Sequence, residues 1–492
     1  MKLAVIFVIS ALILPSIASV PATAADKPNI LMIAVDDLRP QLGCYGQAHV
    51  HSPNIDRLAQ QGLRFERAYC MVPTCGASRA SLMTSIRPAL RRFVTHLAYA
   101  EKDAPGITTL NTYLKQHGYT TLSNGKVLHH PDDSAAGWSE PAWRPGQPAA
   151  SVTTNKSTTN KRGRQAKNAG ANAGGRGAPY AISPLSDDEL ADGQVAQKTI
   201  SDLQRLKQSG EPFFLAAGFF KPHLPFVAPQ KYWDLYPTDS IDLPANYHRP
   251  EAAPEEAIHL FGELRAYAGV PKQGPLSDEL ARELIRGYHA CVSFTDAQIG
   301  RVLDELERLD LAKETIVILW GDHGWNLGEH TLWCKHCCFE TSMRVPLIVR
   351  APGIEGGTKT VGLTELIDVY PSLCELAGLP IPTHAQGRSF VPLLSNPAQP
   401  WKDQAIGRFM AGDTIRTDTH RFTEYSGGVA GQPSKAVARM LYDHRSDPGE
   451  NINVSERPNS AGVAQELTHR LRTGKGADGD LPTNAARSKS PL

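Results

Sequence analysis

Residues 29–37 read Asn29-Ile-Leu-Met-Ile-Ala-Val35-Asp36-Asp37, six apolar side chains in a row closed by two carboxylates. A continuous apolar run with no polar alternation predicts a strand buried on both faces, the kind found inside α/β sheets. Its two aspartates then fall at the carboxyl edge, where open parallel sheets bind ligands. Three further strand-like segments also end in reactive residues. Thr315–Trp320 ends in Gly321-Asp-His-Gly324, and Pro212–Phe220 runs into Lys221-Pro-His-Leu-Pro-Phe226. Tyr119–Ser123 is turned by Asn124-Gly125 into Lys126-Val-Leu-His129. Leu63–Cys70 and Val345–Val349 read as additional strands.

Helical patterns separate these runs. They cover Pro53–Gly62 with Ser52 as N-cap, Thr108–His117, Asp187–Gln208, Ser277–Leu309 and Ile367–Ala377. Repeated strand–helix alternation predicts an α/β fold, a large mostly parallel sheet flanked by helices. From about Gly407 the pattern changes to short extended pieces, Thr414–Tyr425 and Val437–Tyr442, which predict a small antiparallel C-terminal subdomain.

The 492 residues suffice for one large domain and a smaller one. Lys2, the apolar run Leu3–Leu14 and Ala22-Thr-Ala-Ala25 have the layout of a secretory signal. That run is too short to span a bilayer, and no cysteine follows it to carry a lipid, so no membrane anchor is expected. Export makes the compartment periplasmic or extracellular. Cleavage near Ala25 removes one of 51 basic residues and leaves 50 against 50 acidic ones, a balance that does not suit nucleic acid. Eight cysteines in so long a chain are no disulfide scaffold. The divisions expected are 1–25 signal, 26–405 catalytic domain, 406–472 C-terminal subdomain and 473–492 disordered tail. Residues 139–184 are low in complexity and basic, and read as a surface insertion.

Cys75-Gly-Ala-Ser-Arg79 opens another helical stretch. A group at a helix start faces unpaired N–H donors and the positive dipole end, and Arg79 lies one turn along. The pattern fits a nucleophilic cysteine, an anion cradle or a buried structural thiol. The other strand ends weigh on that choice. Asp36, Asp37 and Asp322 are three carboxylates suited to a hard divalent cation, Ca²⁺ before Mg²⁺. Arg79, Lys126 and Lys335, with several histidines, would ring an anionic substrate group. Metal, nucleophile and cations together describe sulfuryl or phosphoryl transfer. Cys334-Lys-His-Cys-Cys338 reads as local packing or one disulfide rather than a soft-metal site, and Arg416 as a surface ion pair.

Cys75-Gly-Ala-Ser-Arg-Ala-Ser-Leu-Met-Thr84 resembles the signature of the type I, formylglycine-dependent sulfatases, with Ala77 in place of the commoner proline. Asp36-Asp37, Gly125–His129, Lys221–Phe226, Gly321–His330 and Trp333-Cys-Lys335 are similar to that family as well. The Lys-Pro-His and Asp-His-Gly-Trp forms, with Thr414–Thr417 and Leu441–Pro448, resemble its iduronate-2-sulfatase branch. The resemblance spans about residues 28–455 and implies an alkaline-phosphatase-like sulfatase fold. It implies metal ligands at Asp36, Asp37, Asp322 and His323, with position 75 a Cα-formylglycine touching one Ca²⁺. It implies that Arg79, Lys126 and His129 serve the formylglycine, while His223 and Lys335 bind sulfate, with His223 protonating the leaving oxygen. It implies as partners a sulfated carbohydrate, with a 2-O-sulfated uronic acid as the expected unit, and a formylglycine-generating maturation enzyme. Exo-action is expected by analogy with the branch. Two alternatives stay open: a phosphate or phosphonate ester hydrolase on the same scaffold, and a glycan-binding protein in which Cys75 stays unconverted.

Overall fold

The computed structural model describes residues 27–146, 176–427 and 436–474. The expected export signal, the centre of the insertion (147–175) and the tail beyond 474 lie outside the described residues. Among the described residues, seven strands form the main sheet: β1 Asn29–Val35, β2 Leu63–Phe65, β3 Thr120–Gly125, β4 Phe213–Phe219, β5 Thr315–Gly321, β6 Leu347–Arg350 and β7 Thr358–Thr360. Their order across the sheet is β7-β2-β6-β5-β1-β4-β3. The four strands β5, β1, β4 and β3 are parallel neighbours, so their carboxyl ends line up along one edge. β6 runs antiparallel to both β5 and β2, which makes the sheet mixed at that side.

The apolar run of β1 is buried on both faces, as its lack of alternation requires. Leu31, Ile33 and Val35 join Leu215, Leu319 and the apolar face of the long helix Asp278–Arg308. Ile30, Met32 and Ala34 face the opposite layer with Phe214, Ile318 and Trp320. The long helix is capped by Ser277, whose hydroxyl accepts from Leu280 N–H at 3.2 Å. Four strands near the C-terminus, β8 Gln404–Phe409, β9 Gly412–Thr417, β10 His420–Ser426 and β11 Ala436–Asp443, form the expected antiparallel sheet. The helix Ala461–Gly474 packs its Leu467 and Leu471 against this sheet.

Several boundaries differ from expectation. Leu63–Cys70 is two strands, because β2 joins the main sheet while Ala68–Tyr69 joins a separate three-stranded one. Val345–Val349 is likewise divided by Pro346, which has no N–H to continue a ladder. Ser52 does not cap its helix; its hydroxyl accepts from Gly43 N–H and bonds the Asp56 carboxylate. The insertion is structured at both ends: Trp143 bridges to Asn124, and Tyr180–Ser183 pairs with Phe226–Pro229. Apolar Tyr180 and Trp143, packed on the core, anchor these ends. β8 crosses the expected boundary at 405, since its pairing with β9 begins at Gln404.

One close approach places a site residue. Gly125 and Gly218 are paired in register where β3 and β4 end. A Cβ on Gly218 would lie 2.2 Å from the Lys126 carbonyl carbon, and Lys126 N–H donates to Gly218 O at 2.8 Å. Gly125 itself has φ 76°, a conformation that favours glycine. Together they bring Lys126 over the strand end. Gly218→Ala should therefore lower unfolding free energy by about 1–3 kcal/mol, measured by urea titration, and reduce turnover as Lys126 shifts. An equally stable and equally active variant would contradict this assignment.

Candidate active site

The site lies at the carboxyl ends of β5, β1, β4 and β3. Beyond β1 the chain turns sharply, with Asp37 at φ 62°. A left-handed aspartate is uncommon and needs support from its surroundings. Asp37 N–H donates to Asp322 Oδ1 at 2.9 Å, and Tyr288 O–H donates to Asp37 O at 2.8 Å. The turn points Asp36 and Asp37 into one buried space with Asp322 and His323 from the end of β5.

The helix Cys75–Thr84 enters this space end-on. Gly76 permits it, since a Cβ there would meet His96 O at 2.1 Å. Arg79, one turn in and wholly buried, joins the parts. Its Nε donates to Asp322 Oδ2 at 2.9 Å and its Nη2 to Asp36 Oδ1 at 3.1 Å, while Nη1 donates to Val127 O at 2.9 Å and also to Lys126 O. Lys126 Nζ donates to Asp36 Oδ2. Burial alone would raise the Asp36 carboxyl, but Lys126, His223 and Arg79 hold it well below the usual range. Burial raises Asp37, with Lys335 offsetting part of the effect.

Cys75 Sγ lies 3.3 Å from His323 Nε2, which is itself 3.3 Å from Asp37 Oδ1. His323 Nδ1 faces Gly324 O at 2.9 Å, which leaves Nε2 for the site. Burial and then the Asp36 charge push the Cys75 thiol well above its ordinary value, so an unmodified side chain here is a neutral thiol and a poor nucleophile. Among the described residues, Asp36, Asp37, Cys75 and His323 offer ligand atoms all within 4.8 Å of one another. Two buried carboxylates and an imidazole fit a divalent cation. Asp322 adjoins this group, with Oδ1 accepting from the Asp37 and His323 N–H groups and Oδ2 from Arg79.

Lys335 and His223 form the outer wall. Lys335 Nζ is 3.1 Å from Asp37 Oδ1 and lies over the Trp325 ring at 4.9 Å. His223 Nδ1 faces Leu224 O at 2.6 Å, and its Nε2 is 3.9 Å from Asp37 Oδ2. His129 stands farther out, its ring against His96 and His130, with Nδ1 buried and unpartnered. All the expected site residues thus converge, His129 on the periphery.

Glu263, which the sequence did not single out, also reaches the wall, 3.1 Å from Lys335 Nζ. It lies on the short helix Gly262–Arg265 within a proline-rich connector, where no period or motif marks it. Arg416 is not a surface ion pair. It is buried with Arg421 against Glu340, where the C-terminal sheet meets the main domain. All eight cysteines are free, so the disulfide considered near Lys335 does not form; Cys337 instead lies 3.1 Å from Ser342 Oγ.

Comparison with known proteins identifies the family. Residues 28–379 match the Sulfatase family model, and residues 328–476 match the model for the C-terminal part of N-sulphoglucosamine sulphohydrolase. The chain belongs to the sulfatase family and is an enzyme that hydrolyses sulfate esters. Iduronate 2-sulfatase of Mus musculus is 35% identical over 405 residues, covering 75% of this chain and 72% of that one. A solved 2-O GAG sulfatase superposes with a TM-score of 0.69 at 23% identity, covering 92% and 93% of the two chains. The phosphonate monoester hydrolase of Agrobacterium radiobacter shares the fold, with a TM-score of 0.73 at 22% identity and coverage of 91% and 96%.

Burial, followed by the nearby Lys126 charge, lowers the His129 imidazole to about 3. A folded-state value below the unfolded 6.5 means that the unfolded chain takes up the proton first, so this group's contribution is lost as pH falls below about 6.5. NMR titration should find His129 neutral from pH 8 down to 5. A midpoint near 6.5 would contradict the burial argument.

Proposed function

We propose that this sulfatase is exported and cleaves sulfate esters of a sulfated sugar, with a 2-O-sulfated uronic acid as the expected unit. The observation that carries the reading is Cys75 itself, a buried neutral thiol at a helix start, among carboxylates and beside three cations. A thiolate nucleophile is disfavoured in that setting. Conversion to Cα-formylglycine by a maturation enzyme removes the mismatch, and the present Sγ stands in for the oxygens of that group. When hydrated, formylglycine would supply an oxygen nucleophile for sulfur. Asp36, Asp37, Asp322 and His323 would hold a Ca²⁺, which would supply positive charge to the sulfate oxygens.

The chain's own residues do the rest. Arg79 orients position 75 through its fixed place between Asp36 and Asp322. Lys126 stabilises negative charge on the nucleophilic oxygen, and neutral His129 accepts a proton at the site's edge. Lys335 and His223 bind the sulfate oxygens, and His223 Nε2 passes a proton to the departing sugar oxygen. The name of the mouse relative, iduronate 2-sulfatase, supports a 2-O-sulfated uronic acid, and exo-action follows only by analogy with that branch. Export rests on the signal-like residues 1–25.

The shared fold of the phosphonate monoester hydrolase favours phosphate or phosphonate ester hydrolysis as the second reading. Paired assays on a sulfate and a phosphate ester of one alcohol separate the two, and faster phosphate cleavage would overturn the first. Mass spectrometry of the peptide holding Cys75, from natively exported protein, should find the aldehyde. An intact thiol in active protein would overturn the formylglycine reading, and an intact thiol in inactive protein would favour a glycan-binding role.

A further inference from the structure

Both groups given above to the sulfate oxygens already face the carboxylate of Glu263. Its Oε2 is 3.1 Å from Lys335 Nζ, and its Oε1 is 3.3 Å from that nitrogen and 3.2 Å from His223 Nε2. The side chain is 15% exposed, so it borders the site rather than bulk water. Burial opposes its charge, but Lys335 and His223 hold the carboxyl well below the usual range. Nothing in the reaction above uses this group.

A fixed negative charge within hydrogen-bond reach of two anion-binding groups acts on every anion that approaches them, and its effect grows with the anion's own charge. A sulfate ester carries a single negative charge. A phosphate monoester approaches a double charge at neutral pH, because its second pKa is about 6. Free sulfate, the product, is doubly charged. The low-dielectric surroundings of Lys335 and Trp325 enlarge the difference.

We propose that Glu263 is a specificity-determining residue, whose carboxylate on Lys335 and His223 favours singly charged sulfate esters and disfavours phosphate monoesters and free sulfate. The inference rests on the sulfatase reading of the site. It also gives the carboxylate a part in product release, since it competes with the dianion for the same two groups.

The test measures binding of methanesulfonate, a monoanion that cannot be hydrolysed, and of inorganic sulfate by calorimetry. The mature enzyme should bind methanesulfonate more tightly than sulfate. Glu263→Gln should shift the ratio toward sulfate about tenfold or more, while Glu263→Asp, which keeps the charge, should stay near the parent ratio. An unchanged ratio in Glu263→Gln, or the same shift in Glu263→Asp, would overturn the proposal. If Glu263→Gln does not fold, the parent enzyme still decides, because tighter binding of sulfate than of methanesulfonate would overturn it. A parent enzyme that cleaves a phosphate ester faster than its sulfate analogue would instead refute the sulfatase reading, whatever the binding ratio.

Discussion

Arg79 lies wholly buried between Asp36 and Asp322, and the rest of the site depends on that arrangement. Carboxylates delivered to a dry strand edge must be neutralised or protonated, and the guanidinium neutralises two from different strands at once. Lys126 completes Asp36, and Lys335 completes Asp37. Removing one member of such a web costs about 3–5 kcal/mol, because its partners remain buried and unpaired. The same contacts that keep the web stable also hold the first turn of the Cys75 helix against the carboxylates.

Topology explains why the parts meet. Four parallel neighbours, β5, β1, β4 and β3, release their chains at one edge, and each release point carries a charged or imidazole side chain. Glycines at 76, 125 and 218 give the backbone room for the approach. The left-handed turn at Asp37, held by Tyr288 from the long helix, aims two successive carboxylates into the same space. The scaffold is thus rigid where the chemistry is placed, and the outer wall comes from less regular segments.

That division also explains what could be read from the chain. The apolar runs of β1, β4 and β5 are unambiguous because burial on both faces leaves no room for polar alternation. Asp36, Asp37, His223, Asp322 and His323 follow directly, since each lies within a few residues of such a run, and Lys126 follows the turn signal Asn124-Gly125. Glu263 was illegible, because its place depends on a short helix in a proline-rich connector that carries no periodic pattern. The division of Leu63–Cys70 between two sheets was equally hidden, since local sequence does not reveal where a strand changes partners. The burial of Arg416 is hidden for a similar reason, since it comes from the packing of β9 on a remote segment around Glu340.

The central claim is that the buried carboxylates gathered around position 75 hold one divalent cation. Calorimetric titration of chelator-treated mature protein with Ca²⁺ tests it directly. One ion per chain is expected in the parent, with loss of that binding in Asp37→Asn and the variant still folded. Equal Ca²⁺ binding by the two proteins would contradict it.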